Sequence, residues 1–524
     1  MRFSNALAGA AVVAGSVVSA AVDPIVVKGS KFFYKSNGTE FFMRGVAYQQ
    51  DFSSNGTTSG GSSYKDPLAD SDGCKRDIPL LQELRTNTIR VYAVDPKKDH
   101  SQCMKMLDDA GIYVVADLGE PKTSINRDDP KWDDELYQRY TSVIDDLAKY
   151  SNTLGFFAGN EVTNNKSNTE ASAFVKGAVR DMKAYIKRKN YRPMGVGYAT
   201  NDDAEIRADM TDYFNCNSQD ESIDFWGYNI YSWCGDSSFT KSGYDVVVKD
   251  FKTFNVPVFF AEYGCNLVQP RKFTEVQAIY GSQMTPVLSG GLVKLDGGKT
   301  SKMPDFKNLA DQMKKADPTG VDMSKYTPTN TALRSCPTGD SWKASKNLPP
   351  TPNQELCGCM VKSLTCVAKD SIDDKALGDL FGTVCGLNKD ACAGINADAA
   401  KGVYGAYSMC NPRDKLSFAF NSYYQAQASK GNGQNACDFN GNARKQSPIK
   451  PSGTCSSLVQ QAGTDGKGTV TSVPTGTSSF SSSSSSSSSA AASPMAVPPI
   501  GFGLIQLGAY LICAVVAGAG MLVL

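Results

Sequence analysis

Two apolar runs in this chain end on a glutamate: Gly155-Phe-Phe-Ala-Gly-Asn160-Glu161 and Val256-Pro-Val-Phe-Phe-Ala-Glu262. Two glutamates held about 5 Å apart suit a retaining glycosidase, in which one carboxylate attacks the sugar carbon while the other protonates the leaving oxygen and then activates the incoming acceptor. Either glutamate alone reads as readily as a solvated residue where a strand leaves the core. The repeated pattern is what argues for chemistry. Competing chemistries lack their groups. The one histidine, His100, lies in Lys97-Lys98-Asp99-His100, which reads as a solvated loop and gives Ser-His-Asp hydrolysis or histidine-bound metals no setting. With 54 basic against 53 acidic residues, net charge leaves no nucleic-acid footprint.

The elements that must position the pair follow from an alternation along the chain. Runs at 41–48, 88–94, 113–117, 155–158, 194–198, 225–231 and 256–262 read as short strands separated by amphipathic helical stretches, the pattern of parallel strands joined by helices. Between the fourth and fifth runs, Phe174, Ala178, Met182 and Ile186 recur four apart beside Val175 and Val179, which is one apolar helix face. Seven such strands without a Gly-x-Gly phosphate loop predict an α/β fold, a (β/α)8 TIM barrel, rather than an open doubly wound sheet. The eighth strand is expected near Ser289 to Val293. In that barrel, glutamates ending strands four and seven meet across one mouth.

The ends point outside the cell. Residues 1–20 read as a signal peptide, 21–325 as the barrel, 326–350 as a linker, 351–456 as a small cysteine-rich domain, and 457–490 as a Ser-rich stalk that cannot bury a core. Residues 491–524, small residues followed by an uncharged apolar tail, read as a GPI-attachment signal, with the lipid joined within Ser489–Ala492. Setting aside Cys513 in that tail, an even number of the fifteen cysteines remains, which in an oxidising compartment means disulfides rather than zinc. Asn37, Asn55 and Asn165 fit the N-glycosylation pattern, and Asn37-Gly38 also suits a hairpin turn.

Five motifs narrow the reading: Arg44-Gly-Val-Ala-Tyr48-Gln49, Arg90-Val-Tyr92-Ala-Val-Asp95-Pro, Ala158-Gly-Asn160-Glu161-Val, Tyr228-Asn-Ile-Tyr231-Ser-Trp-Cys234-Gly and Phe260-Ala-Glu262-Tyr-Gly-Cys265. They resemble glycoside hydrolase family 72, the Gas/Gel-type β-1,3-glucanosyltransferases, and the cysteine-rich segment resembles a carbohydrate-binding X8 module. The resemblance implies Glu161 as general acid/base and Glu262 as nucleophile. It implies that Asn160 holds the sugar 2-hydroxyl, that Tyr231 orients Glu262, and that Gln49, Tyr92 and Asp117 line donor subsites. Arg90 matches the strand-two arginine of the wider clan and is placed to depress the pKa of Glu262, since two like charges need different environments to hold different protonation states. The resemblance also implies the disulfides Cys74–Cys103, Cys216–Cys336, Cys234–Cys265, Cys357–Cys410, Cys359–Cys455, Cys366–Cys437 and Cys385–Cys392.

One departure stands out. Ser289-Gly-Gly-Leu-Val293 runs directly into Lys294-Leu-Asp-Gly-Gly298, where the family pattern carries an intervening aromatic segment. A truncated strand eight is therefore expected, with an opened seam costing several kcal/mol, and Lys294 stands where an aromatic would stack on glucose. The expected activity is elongating transglycosylation. An internal β-1,3 bond is cut and the new reducing end is joined to the non-reducing end of another glucan, at the outer face of the plasma membrane and cell wall, with no metal or organic cofactor. An endo-β-1,3-glucanase of the same fold and a non-catalytic glucan-binding wall protein are the alternatives. Expected partners are donor and acceptor β-1,3-glucan and the GPI lipid.

Overall fold

The computed structural model describes residues 22–49, 64–295 and 305–472. The segments expected as signal peptide and GPI-attachment signal, Asn55, and most of the expected stalk lie outside the described residues.

An antiparallel hairpin, β1 (Ile25–Lys28) and β2 (Lys31–Tyr34), precedes eight parallel strands. These are β3 (Met43–Ala47), β4 (Thr88–Val91), β5 (Tyr113–Asp117), β6 (Thr153–Asn160), β7 (Gly195–Thr200), β8 (Trp226–Ile230), β9 (Val258–Tyr263) and β10 (Leu288–Lys294). They close in sequence order, with β10 returning to β3. Helices α1 (Ser71–Glu83), α2 (Ser101–Asp109), α3 (Asp134–Leu147), α4 (Ala171–Arg188), α5 (Arg207–Phe214), α6 (Tyr244–Phe251), α7 (Glu275–Ile279) and α8 (Phe306–Lys315) fall between and after the strands. The expected face on α4 is buried, Phe174, Ala178, Met182 and Ile186 included.

Each strand divides its side chains between two cores because successive residues point to opposite faces. Ile89 and Val91, Val114 and Ala116, Phe156 and Ala158, and Trp226 and Tyr228 pack outward in the helix layer. Met43, Val115, Phe157, Phe259, Ala261 and Leu292 fill the barrel interior. Phe32 of the hairpin enters that interior, its ring 6.4 Å from Phe225 and 6.2 Å from Phe259.

The expected open seam is not there. Seven residues suffice for β10, which pairs with β3 from Gly290↔Met43 to Lys294↔Ala47 and also pairs with β9. Two glycines permit this approach: a Cβ on Gly290, whose φ is +89°, would stand 2.2 Å from the Met43 carbonyl oxygen, and one on Gly45 would stand 2.1 Å from Leu292 Cδ2.

The cysteine-rich module contains α9 (Gln354–Ser363), β11 (Cys366–Ala368), α10 (Asp374–Leu387), a small ribbon of β12 (Ala397–Asp398) and β13 (Val403–Tyr404), α11 (Pro412–Ala428), β14 (Ala443–Lys445) and α12 (Thr454–Ala462). Its disulfides are Cys357–Cys410, Cys359–Cys455, Cys366–Cys437 and Cys385–Cys392. Cys74–Cys103, Cys216–Cys336 and Cys234–Cys265 lie in the barrel region. All are the pairs that the resemblance implies.

Barrel and module share one compact unit. The Asp134 amide donates to the Met409 carbonyl at 3.0 Å, and the rings of Phe174 and Tyr404 meet edge to face. The segment expected as a linker is part of this packing. Trp342 is buried against Tyr213, and the Tyr213 hydroxyl donates to the Ser345 carbonyl.

Two further expectations are corrected. The module does not stop at residue 456: α12 continues to Ala462, the Ala406 amide donates to the Gly466 carbonyl at 2.7 Å, and Gln461 Oε1 accepts from the Thr471 amide at 2.9 Å. Gly466 fits because it has no side chain; a Cβ there would lie 2.7 Å from the Gly394 Cα. His100 is not in a solvated loop. It is fully buried, with Nε2 2.8 Å from Asp66 Oδ2 and Nδ1 2.5 Å from Asp146 Oδ2. The charged residues beside it in sequence gave no sign of these distant carboxylates.

Candidate active site

Strand alternation by itself would misplace Asn160 and Glu262. On β6, Phe157 points inward, so Asn160 would point outward; on β9, Phe259 and Ala261 point inward, so Glu262 would point outward. A register shift lies between Phe157 and Asn160, and another brings Tyr228↔Phe260 to Asn229↔Glu262. Each inserts one extra residue, and such bulges re-aim the side chains that follow. The chain thereby turns Asn160 and Glu262 into the mouth. Glu161 follows with φ +48°, a left-handed conformation costing a non-glycine residue about 1–2 kcal/mol. Its amide donates to the Ala199 carbonyl at 2.8 Å, and Arg127 donates to its carbonyl oxygen.

Arg90 stands on β4 with no exposed surface. Its Nε and Nη2 donate to the two oxygens of Asp117, each at 2.9 Å, Nη2 also donates to Asn160 Oδ1 at 2.9 Å, and Nη1 reaches Glu262 Oε1 at 3.3 Å. Burying a guanidinium costs several kcal/mol unless such acceptors surround it. Tyr92 donates to Glu262 Oε1 at 2.6 Å and Tyr231 donates to Oε2. Burial alone would raise the proton affinity of Glu262, but Arg90, Lys294 and the two tyrosines more than offset it and hold the carboxyl below its usual range. Asp117, fully engaged by Arg90, is instead raised by burial.

Asn229 had no role assigned from the sequence, yet its Nδ2 donates to Glu161 Oε1 at 2.8 Å and to Asn160 Oδ1 at 3.1 Å. A continuous path thus runs from Glu161 through Asn229, Asn160 and Arg90 to Glu262. The signal was present, because Trp226, Tyr228 and Ile230 face the helices and Asn229 must then face the mouth. Gln49 lies exposed at the rim, where its Oε1 accepts from Lys294 Nζ at 3.4 Å. Asp117 is nine-tenths buried with both oxygens on Arg90, so it holds the guanidinium in place. Asn37, in the exposed turn before β3, and Asn165, in the loop between β6 and α4, each accept a local backbone amide through their own Oδ1.

The mouth therefore holds one ionised carboxylate, fixed by three donors, facing a second carboxyl fixed by an amide. A family model described as Glucanosyltransferase matches residues 14–317, and one described as X8 domain matches residues 364–444. This chain belongs to the glucanosyltransferase family. A family relative named 1,3-beta-glucanosyltransferase, from Arthroderma benhamiae, is 66% identical, with 100% of each chain covered. That match spans 551 residues against 524 here, so the relative carries positions this chain lacks. The Schizosaccharomyces pombe 1,3-beta-glucanosyltransferase gas1 is 42% identical, covering 88% of this chain and 86% of its own. A solved structure of a Saccharomyces cerevisiae Gas2p mutant in complex with laminaritetraose and laminaripentaose superposes with a TM-score of 0.71 at 39% identity, covering 81% of this chain and 95% of that one.

Proposed function

We propose that this chain is a retaining β-1,3-glucan transglycosylase of the cell wall, anchored by GPI lipid at the outer face of the plasma membrane. The observation that carries the reaction is Glu262, kept ionised by Arg90, Tyr92 and Tyr231 across the mouth from Glu161. Glu262 attacks the anomeric carbon of the donor while Glu161 gives its proton to the departing glycosidic oxygen, and a covalent glycosyl ester forms. Glu161, now ionised, takes the proton of an acceptor hydroxyl, which attacks the same carbon and frees Glu262. Retention follows from two inversions. The path through Asn229, Asn160 and Arg90 keeps the two carboxyls in register. Asn160 is also the group placed to hold the sugar 2-hydroxyl, and Gln49, Tyr92 and Tyr231 border the donor side.

The names of the relatives and the laminari-oligosaccharides bound by Gas2p support glucan as donor and acceptor. Hydrolysis competes when water replaces the acceptor. Lys294 favours that reading, because its ammonium lies over the Tyr92 ring at 4.2 Å and covers a face on which a sugar could stack.

The test is incubation of the purified protein with a linear β-1,3-gluco-oligosaccharide, following product lengths by chromatography, with Glu161→Gln and Glu262→Gln as controls. Products both longer and shorter than the substrate, lost in either variant, support transfer. Shorter products alone make it a hydrolase, and no turnover makes it at most a glucan binder.

A further inference from the structure

Lys294 closes the inner row of β10. Leu292 lies in the barrel interior, and Lys294, two residues on, points the same way and rises into the mouth. Its Nζ lies 3.9 Å from Glu262 Oε2, 4.2 Å from the centre of the Tyr92 ring and 3.4 Å from Gln49 Oε1. Its side chain is 29% exposed, so the pair is screened on one side only.

We propose that Lys294 is a positioning residue of the reaction, its ammonium pairing with the nucleophile Glu262 on the oxygen that Arg90 does not reach. The inference rests on the reading of Glu262 given above and adds a residue to it. Arg90 and Tyr92 engage Oε1, whereas Tyr231 and Lys294 engage Oε2. The carboxylate is thus held at both oxygens by one cation and one phenol each.

Among the described residues, the other charged and titratable groups facing Glu262 are few. Arg90 comes from β4 and Tyr92 from just beyond it, Asp117 from β5, Glu161 from the end of β6, and Tyr231 from beyond β8. Asp117 is neutralised by Arg90, so among the described residues facing Glu262 Lys294 is the further cation available to balance it. Burial, with Arg90 nearby, outweighs the pull of Glu262 and lowers the ammonium's own proton affinity from its ordinary value. Pairing of this kind makes the carboxylate a weaker base and a better leaving group. Lys294 therefore favours release of the glycosyl ester, to water and to an acceptor alike, and extends activity towards acid pH.

The test follows the Glu262 carboxyl directly, without relying on turnover. In full-length protein labelled with carbon-13 glutamate, the Glu262 resonance is assigned by its loss in Glu262→Gln and titrated in wild type, Lys294→Met and Lys294→Arg. The midpoint is expected to move up by about one pH unit in Lys294→Met, the low end for an opposite charge at this range, and to return towards wild type in Lys294→Arg. The acid limb of kcat/KM is expected to move with it. An unchanged midpoint in Lys294→Met overturns the proposal, as does a shift that Lys294→Arg fails to reverse. A shifted carboxyl in a protein without turnover keeps the pairing and sinks the transglycosylase reading. Intact turnover with an unmoved carboxyl sinks the pairing alone.

Discussion

Replacing His100 by Gln should remove a pH-dependent part of the protein's stability. Burial works against a charge on His100, but its hydrogen bonds to Asp146 and Asp66 overcome this and push the imidazole up to about 9 from 6.5. Each tenfold gain in proton affinity is worth about 1.4 kcal/mol; after allowance for screening and for the desolvation of both carboxylates, on the order of 2 kcal/mol remains. Because the folded-state value is raised, this contribution is fully present below pH 6.5 and is lost as the pH climbs through about 9. At roughly 2–4 °C per kcal/mol for a domain of this size, wild type should lose about 4–8 °C of Tm between those limits. His100→Gln should start lower and stay flat, since it cannot hold that proton. The assay is thermal unfolding by circular dichroism across the neutral to alkaline range. Parallel Tm curves for wild type and His100→Gln would refute the buried ion cluster.

Asn229→Ala should lower kcat/KM by about 10- to 100-fold, the loss of one hydrogen bond to a charged group, with Tm nearly unchanged; steady-state transfer assays check it. Gly290→Val should destabilise the seam between β10 and β3, because its Cβ would meet the Met43 carbonyl oxygen at 2.2 Å with φ at +89°. A cost of about 3 kcal/mol or more is expected for such overpacking and strain, read by denaturant unfolding.

How far the sequence carried can be judged from particular elements. Runs such as Tyr113–Asp117 were legible because buried parallel strands are continuously apolar, and β5 has those bounds. The two glutamates were legible because each follows such a run. What aims them was not: the bulges near Asn160 and Glu262 depend on pairing register, which no local pattern records. Asn229 lay in a quoted motif and was missed although alternation along β8 identified its direction. His100 was misread because its partners lie 34 and 46 residues away. Residues 457–472 were taken for stalk because Gly, Ser and Gln look uncommitted until Gly466 is seen filling a space only a glycine fits.

The central claim is that Glu262 becomes a glycosyl ester. The protein should be treated with a β-1,3-gluco-oligosaccharide bearing a 2-fluoro substituent and a good leaving group at its reducing end, which slows release of the ester, and the labelled peptide mapped by mass spectrometry. The account predicts one added glycosyl group on Glu262, absent from Glu262→Gln. A label on any other residue, or steady turnover of natural glucan with Glu262 replaced, would contradict it.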